Sequence, residues 1–549
     1  MTWYLIDRGG NDMVKISKGG RLVRAASPES VGISSGAFIK MLDCLEEEGH
    51  EYHSLMIVRH GVVAAECCRY PFRADLPHAM YSVSKTVTAT ALGFAVSEGL
   101  VSLDTRIVDV FPEYRKKNET GYIDKMAVKH LVTMTSGKMP SYLLDKSEDD
   151  WLKHLFDAKW VSEPGTKFDY VNENMFVLCA LLQRVTGMSV VDYLMPRLFE
   201  PLGIERPFWE TDAHGVESGG WGIFLKTEDV ARIMLCYLNG GMWGKTRVIP
   251  EGWAREATLN QSNHEPGKER EAGYGYGIWR KGENEYCCDG MFCQIGYVFE
   301  KEDCVVVITS CSPNENAFNK ALDIFRAEGF TEPDKTVKAT PEFKSSIASR
   351  RVETVPCSLL RSPMEDVISG KTIRFTDNIL LNAVGFPMSV LHLSAVYMEN
   401  YRAGNINNIR FDFGGDTFRF TWSEGPETNT VEAGLDGEYR YTPVTLAKTP
   451  YTVAAAAYWE DRYTLVMWIR PLESLTKRIL KFSFLGNGEV DMIPSSSPPV
   501  TIMIESVAWY IRDLIKVKKL KFLADTALDK AEELIEPVHH GKINLEERE

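Results

Sequence analysis

Several signals are missing from this 549-residue sequence, and each absence excludes a class of protein. Basic charge is not in excess. Lys and Arg number 62 against 76 Asp and Glu, a formal net charge of −14, so no cationic field gathers phosphates and nucleic-acid binding is not expected. Long hydrophobic runs are absent too, since the apolar stretches fall far short of the roughly 20 residues that cross a bilayer, and no membrane partner is expected. The opening MTWYLIDRGGNDMVKISKGG lacks the basic-then-apolar order of a secretory signal. The eleven cysteines are an odd number without paired CxxC spacing, and many lie in apolar contexts such as Cys179 in FVLCALL and Cys236 in IMLCYL. Such usage fits reduced core thiols and a cytoplasmic location rather than a disulfide framework. Cys287, Cys288 and Cys293 cluster without a neighbouring His, so a zinc site is not expected. No internal repeat is found.

What is present reads as a globular chain of more than one domain, with 44% hydrophobic and 25% charged residues. Phe38, Met41, Leu42 and Leu45 recur at helical spacing, with Ser34 or Ser35 as N-cap and Gly49 as terminator. SLMIVRHGVVAAECC reads as a hairpin about His60-Gly61. A helical stretch from about Ser82 to Gly240 follows. Strand signals return at YGYGIW, QIGYVF and CVVVITS before a closing helix in NAFNKALDIFRAEG. Strands at both ends with helices between predict an α+β fold, an antiparallel sheet flanked by helices, over residues 1–330. Residues 331–351 shift to Lys, Pro, Ser and Thr and read as a linker. Short β runs from KTIRF to ILKFSFLG predict an all-β sandwich or barrel over 352–500, and 501–549 reads as a helical tail.

Three serine or tyrosine motifs invite a catalytic reading. Gly32-Ile33-Ser34-Ser35-Gly36 matches GxSxG, but a Pro-containing loop precedes it where a nucleophile elbow needs a strand, and its serines serve better as a cap. Ser82-Val83-Ser84-Lys85 and Ser474-Leu475-Thr476-Lys477 both match SxxK, a pattern weak by itself. Ser82 stands out because it opens a long helix, where residues three apart share a face and the N-terminal dipole favours an oxyanion. Tyr170-Val171-Asn172 is delivered by a Pro-Gly turn just before an apolar helix, whereas Tyr237-Leu238-Asn239 simply ends one.

Taken in order, SVSK, KHLVTMTSG, PGTKFDYVNEN, SGGWGIFLKTEDVARI, YGYGIW and DGMFCQIGYVFEKEDCVVVITS resemble the serine β-lactamase-related hydrolases, from about Pro28 to Phe330. That family includes class C β-lactamases, penicillin-binding DD-peptidases, family VIII carboxylesterases and nylon-oligomer hydrolases. GMFCQ and SGGWG are most similar to the nylon-oligomer branch. The resemblance implies a β-lactamase/transpeptidase-like fold with Ser82 as acylated nucleophile, Lys85 as its base and Tyr170 as proton shuttle. It also implies that Asn172 orients substrate and Lys85, and that Gly290 lets the backbone approach the substrate. The N–H groups of Ser82 and Met291 would form the oxyanion hole. No metal or organic cofactor is required.

Where the family carries Lys-Thr-Gly or His-x-Gly, this chain has Cys288-Asp289-Gly290. The cation that meets a β-lactam carboxylate is thereby lost, and small esters or amides are favoured over lactams. Cys288 itself reads as a strand-packing thiol rather than a nucleophile, and His130 as structural. Trp221, Tyr276 and Trp279 are candidate aromatic cleft walls, with Trp221 the one expected to bind substrate, and residues 151–160 a lid or wall. The expected partner is a small-molecule ester, amide or lactam. The alternatives are a β-lactamase or D-amino-acid peptidase, and a catalytically silent scaffold.

Overall fold

The computed structural model describes residues 20–116, 121–139, 150–262, 273–357, 361–376, 406–424, 427–446, 449–499, 502 and 536–543. The chain forms two compact units, one of residues 1–69, 77–310 and 314–350 and one of residues 70–76, 311–313 and 351–549.

In the first unit, α1 (Ser35–Glu47) forms where the periodicity predicts it. Ser34 Oγ accepts the Ala37 N–H, and Phe38, Met41, Leu42 and Leu45 are all buried. Burying four such side chains contributes on the order of 1.5–3 kcal/mol each, which outweighs the roughly 1 kcal/mol of the cap. Strands β1 (Tyr52–Arg59) and β2 (Val62–Cys68) make the hairpin. The short β3 (His78–Ala79) and β4 (Phe224–Leu225) pair with each other, and β5 (Met242–Trp243) with β6 (Thr246–Arg247). β7 (Gly273–Tyr274), β8 (Trp279–Gly282), β9 (Glu285–Gly290), β10 (Gln294–Phe299) and β11 (Cys304–Ser310) complete a seven-stranded antiparallel sheet in the order β2-β1-β11-β10-β9-β8-β7. Helices α2 (Ser84–Ser97), α3 (Trp151–Asp157), α4 (Glu173–Thr186) and α5 (Thr227–Leu238) supply the helical middle.

α1 and α6 (Glu315–Glu328) cover one sheet face, where Phe38, Leu42, Phe318 and Phe325 meet Leu55, Ile57, Val306 and Ile308. α5 covers the other. There Gly296 leaves the room its neighbours need, since a Cβ would lie 2.9 Å from both Val230 Cγ1 and Met234 Cγ. This is the β-lactamase/transpeptidase-like arrangement.

The stretch 331–351, expected to be a linker, departs from that reading. Residues through Arg350 belong to the first unit and include α7 (Pro341–Ala348). Thr340 Oγ1 caps that helix through the Phe343 N–H, and Pro341 occupies its first turn, signals too short to show as periodicity.

The second unit is a single ten-stranded sheet of β12 (Thr372–Phe375), β13 (Ile406–Gly414), β14 (Thr417–Glu424), β15 (Glu427–Gly434), β16 (Arg440–Leu446), β17 (Thr449–Trp459), β18 (Thr464–Pro471), β19 (Lys477–Phe484), β20 (Glu489–Ser497) and β21 (His539–Ile543). Its order is β15-β14-β13-β12-β21-β20-β19-β18-β17-β16. A parallel bridge between Gly434 in β15 and Ala456 in β17 brings the two ends together, so the sheet closes as a barrel. Phe411, Phe420 and Phe482 meet in its core, with ring centroids 5.1–5.7 Å apart. Of the tail expected to be helical, His539–Ile543 form β21 instead, which pairs with both β12 and β20; residues 501, 503–535 and 544–549 lie outside the described residues.

Candidate active site

Ser82 lies in a single 3₁₀ turn, Tyr81–Val83, that runs straight into α2. The turn is held at its base. Met80 N–H donates to Ile223 O at 2.9 Å, Ser84 Oγ donates to Tyr81 O at 2.6 Å, and Ile223 N–H donates to Ser84 Oγ at 3.2 Å. Tyr81 adopts a left-handed φ of 48°, buried with its ring edge toward Phe292. A non-glycine residue there costs on the order of 1–2 kcal/mol, which the surrounding bonds and packing offset. Ser82 itself is half-buried.

One helical turn on, Lys85 is 1% exposed. Its Nζ donates to Ser82 Oγ at 2.8 Å and to Gly220 O at 2.6 Å, and lies 4.6 Å from the centre of the Tyr170 ring. Burial drives the Lys85 pKa well below the ordinary lysine range, while the Glu173 carboxylate pulls the other way. The lysine is therefore far readier to be a neutral amine than one in water. Around it, Thr86 Oγ1 donates to Gly277 O at 2.6 Å and Thr88 Oγ1 to Gly219 O at 2.8 Å, so α2 is bonded to both glycine loops. Glycine is required at position 277. Its φ is 69°, and a Cβ would lie 2.4 Å from Lys85 O.

Tyr170 comes from the loop before α4, its ring stacked on Trp279 at 5.7 Å and edge-on to Tyr274 at 6.1 Å. Asn172 sits at the start of α4 and lies across Gly220, where a Cβ would meet Asn172 O at 3.1 Å. This corrects one expectation. Among the described residues, the hydrogen bonds that orient Lys85 run to Ser82 and Gly220 rather than to Asn172, because the SGGWG loop brings a backbone carbonyl to the ammonium first.

Gly290, the last residue of β9, faces the start of the Tyr81–Val83 turn so closely that a Cβ would lie 2.3 Å from Met80 O. Met291 follows in the turn to β10, half-buried. Cys288 is fully buried on the α5 side of the sheet, its Sγ donating to Gly296 O at 3.7 Å and burial pushing its pKa up to about 12. It is a packing thiol, and no cation stands at that position. Trp221 is half-buried, its ring 6.3 Å from that of Trp151, and its carbonyl accepts Trp209 Nε1–H at 2.7 Å. Tyr276, expected as a cleft wall, is instead buried against Trp253 at 4.9 Å, because its loop turns inward onto Ala257. The 151–160 segment, expected as a lid or wall, is tied down by packing and hydrogen bonds. Trp151 packs on Phe176, and the buried Lys138 ammonium donates to Phe156 O and Ala158 O, both at 2.9 Å, beneath the Trp160 ring.

The competing motifs lie elsewhere. Ser34 caps α1, Ser474 is fully buried in the second unit, and Tyr237 bonds Thr90 Oγ1 at 2.7 Å in the core. His130 Nδ1 accepts the Ala127 N–H at 3.1 Å, a structural bond. Sequence reasoning missed Gly220, Glu173 and Gln294; the pair of glycines in SGGWG and the acid directly after YVN were the available signals.

The chain is 24% identical over 259 residues to a 6-aminohexanoate-dimer hydrolase of Paenarthrobacter ureafaciens, covering 43% of this chain and 65% of the relative. It is 27% identical over 209 residues to esterase EstB of Burkholderia gladioli, covering 32% and 53% respectively. The chain thus spans less than two thirds of the length of these relatives. A penicillin-binding protein structure from Bacillus halodurans aligns with a TM-score of 0.42 and 17% identity over 52% of this chain and 99% of that one. The beta-lactamase family model matches residues 44–329, more than half of the sequence and the whole span from β1 to α6 that frames Ser82, so this chain belongs to the beta-lactamase family.

Proposed function

We propose that the protein is a serine hydrolase that cleaves small esters or amides through an acyl-enzyme on Ser82. The observation that carries this reading is the Lys85 amine, fully buried and 2.8 Å from Ser82 Oγ. A serine hydroxyl needs a base, and a lysine becomes one near neutral pH only when its ammonium form is disfavoured. Lys85 Nζ takes the Ser82 proton as Oγ bonds to the substrate carbonyl carbon. The oxyanion that forms accepts hydrogen bonds from the Ser82 and Met291 N–H groups. Tyr170, beside the Lys85 ammonium, gives its hydroxyl proton to the leaving alcohol or amine as its bond to the acyl carbon breaks and takes the proton that Lys85 had received from Ser82, so both side chains return to their starting forms. Water attacks the acyl-enzyme by the reverse path. Asn172, Gly290 and the Trp221 ring would contact the substrate.

The buried Cys288 favours neutral substrates over β-lactams, because no side chain at that position offers a positive charge to a carboxylate. The test is a panel of p-nitrophenyl esters, short amides and nitrocefin on wild type and Ser82→Ala, with intact mass spectrometry after a fluorophosphonate. We expect ester or amide turnover that Ser82→Ala loses by about 10³-fold or more, and one adduct on the Ser82 peptide. An adduct on Ser34, Ser474 or Cys288, or unchanged turnover in Ser82→Ala, would reject the reading.

A further inference from the structure

The turn that carries Met291 has an unusual construction. Residues 291–293 join β9 to β10, and Phe292 and Cys293 both hold left-handed φ values, 61° and 62°. Neither is glycine, so each is held in that region at a cost of about 1–2 kcal/mol. The side chain of Gln294, fully buried, supplies the restraint. Its Nε2 donates to Met291 O at 3.2 Å, Phe292 O at 3.1 Å and Ser310 O at 2.6 Å, while its Oε1 accepts the Ser310 N–H at 3.1 Å. Those partners determine which end of the amide is nitrogen, since three carbonyls need a donor and one N–H needs an acceptor. Ser310 Oγ adds bonds to Phe292 O and, at 3.2 Å, Cys293 O. Gln294 thereby bonds the carbonyl of Met291, the residue whose N–H the reading above assigns to the oxyanion hole, and its backbone pairs with Gly290, the residue before Met291.

We infer that Gln294 is a positioning residue that aims the Met291 N–H at the developing oxyanion, with Ser310 as its support; this rests on the hydrolase reading above. The amide is suited to this task, being donor and acceptor at once. A carboxylate in its place keeps the oxygen that accepts the Ser310 N–H but sets a second acceptor oxygen against the three carbonyls that Nε2 served, and frees the turn to rotate its N–H away. The N–H is used only when charge develops on the substrate oxygen, so the loss falls on kcat rather than KM.

The experiment measures kcat and KM for p-nitrophenyl butyrate per folded molecule, with folding followed by near-ultraviolet circular dichroism, in wild type, Gln294→Glu and Ser310→Ala. For Gln294→Glu we expect kcat to fall about 10- to 1,000-fold, the range up to loss of one oxyanion donor, with KM within about threefold. Ser310→Ala keeps Gln294 and the Ser310 N–H, and we expect a kcat loss of several-fold in the same direction. Unchanged kcat in folded Gln294→Glu, or a rise in KM that accounts for the whole effect, would overturn the inference. Should Gln294→Glu not fold, Ser310→Ala decides it, and wild-type kcat there overturns it. If wild type acylates Ser82 normally and neither variant slows, this inference alone fails. If wild type forms no acyl-enzyme, the hydrolase reading fails and takes the inference with it.

Discussion

Lys85 couples chemistry to pH in a direction that follows from its burial. Its folded pKa lies well below that of the unfolded chain, so between the two values the unfolded state binds more protons. Stability of wild type relative to Lys85→Met should therefore rise with pH from the folded Lys85 pKa up to about 10, as urea unfolding across that range would measure. Turnover should show an acid limb as Lys85 gains its proton, and kcat/KM against pH reads it. Glu173, which favours the ammonium, sets where that limb falls: Glu173→Gln should move it to lower pH. Tyr170→Phe keeps the ring stacked on Trp279 and removes only the hydroxyl. We expect kcat to fall about 100-fold or more, the low end for lost acid–base assistance, with the melting temperature little changed.

At the scale of elements, the proposed site depends on how closely the end of β9 approaches the turn that carries Ser82. A methyl on Gly290 has nowhere to go but into Met80 O, 2.3 Å away, so Gly290→Ala must part the strand from the turn. Stability should fall by about 1–3 kcal/mol, as for other overpacked sites, and kcat should fall with it because the Ser82 and Met291 N–H groups proposed as oxyanion donors separate. Ser34→Ala makes a useful contrast. It removes the cap of α1, which lies on the sheet face away from α5, and should cost about 1 kcal/mol in denaturant unfolding while leaving kcat unchanged.

For the whole molecule, the balance of charge bears on substrate choice. A chain of net −14 repels anions at long range, and the buried Cys288 puts no cation at position 288 to offset this. p-Nitrophenyl butyrate should turn over faster than nitrocefin. Salt should raise kcat/KM for nitrocefin and leave the neutral ester nearly unaffected, because screening weakens only the repulsion of the anion. In the second unit, buried charge is structural. Glu353 accepts Arg470 Nη2–H at 3.1 Å and the Tyr439 hydroxyl at 2.8 Å, and it pairs with Lys477. Glu353→Gln leaves two buried cations short of their partner, and the unfolding transition of this unit should fall by about 3–5 kcal/mol.

What the sequence by itself determined was local. α1 is legible because four apolar side chains at helical spacing and a capping serine act within thirteen residues, and the β1–β2 hairpin because its turn and flanking strands are contiguous. Ser82 and Lys85 are legible for the same reason, since three residues on a helix make one contact. Tertiary structure decided the rest. Lys85 is oriented by a carbonyl 135 positions away, and the Met291 turn by a glutamine whose bonds to Ser310 exist only once β10 and β11 pair. β21, built from His539 to Ile543, has little strand character of its own and becomes a strand because β12 and β20 leave a row of unpaired backbone groups between them. Local spacing sets which side chains share a face. Which backbone groups close around them depends on distant segments whose hydrogen-bonding needs are met only in the folded chain.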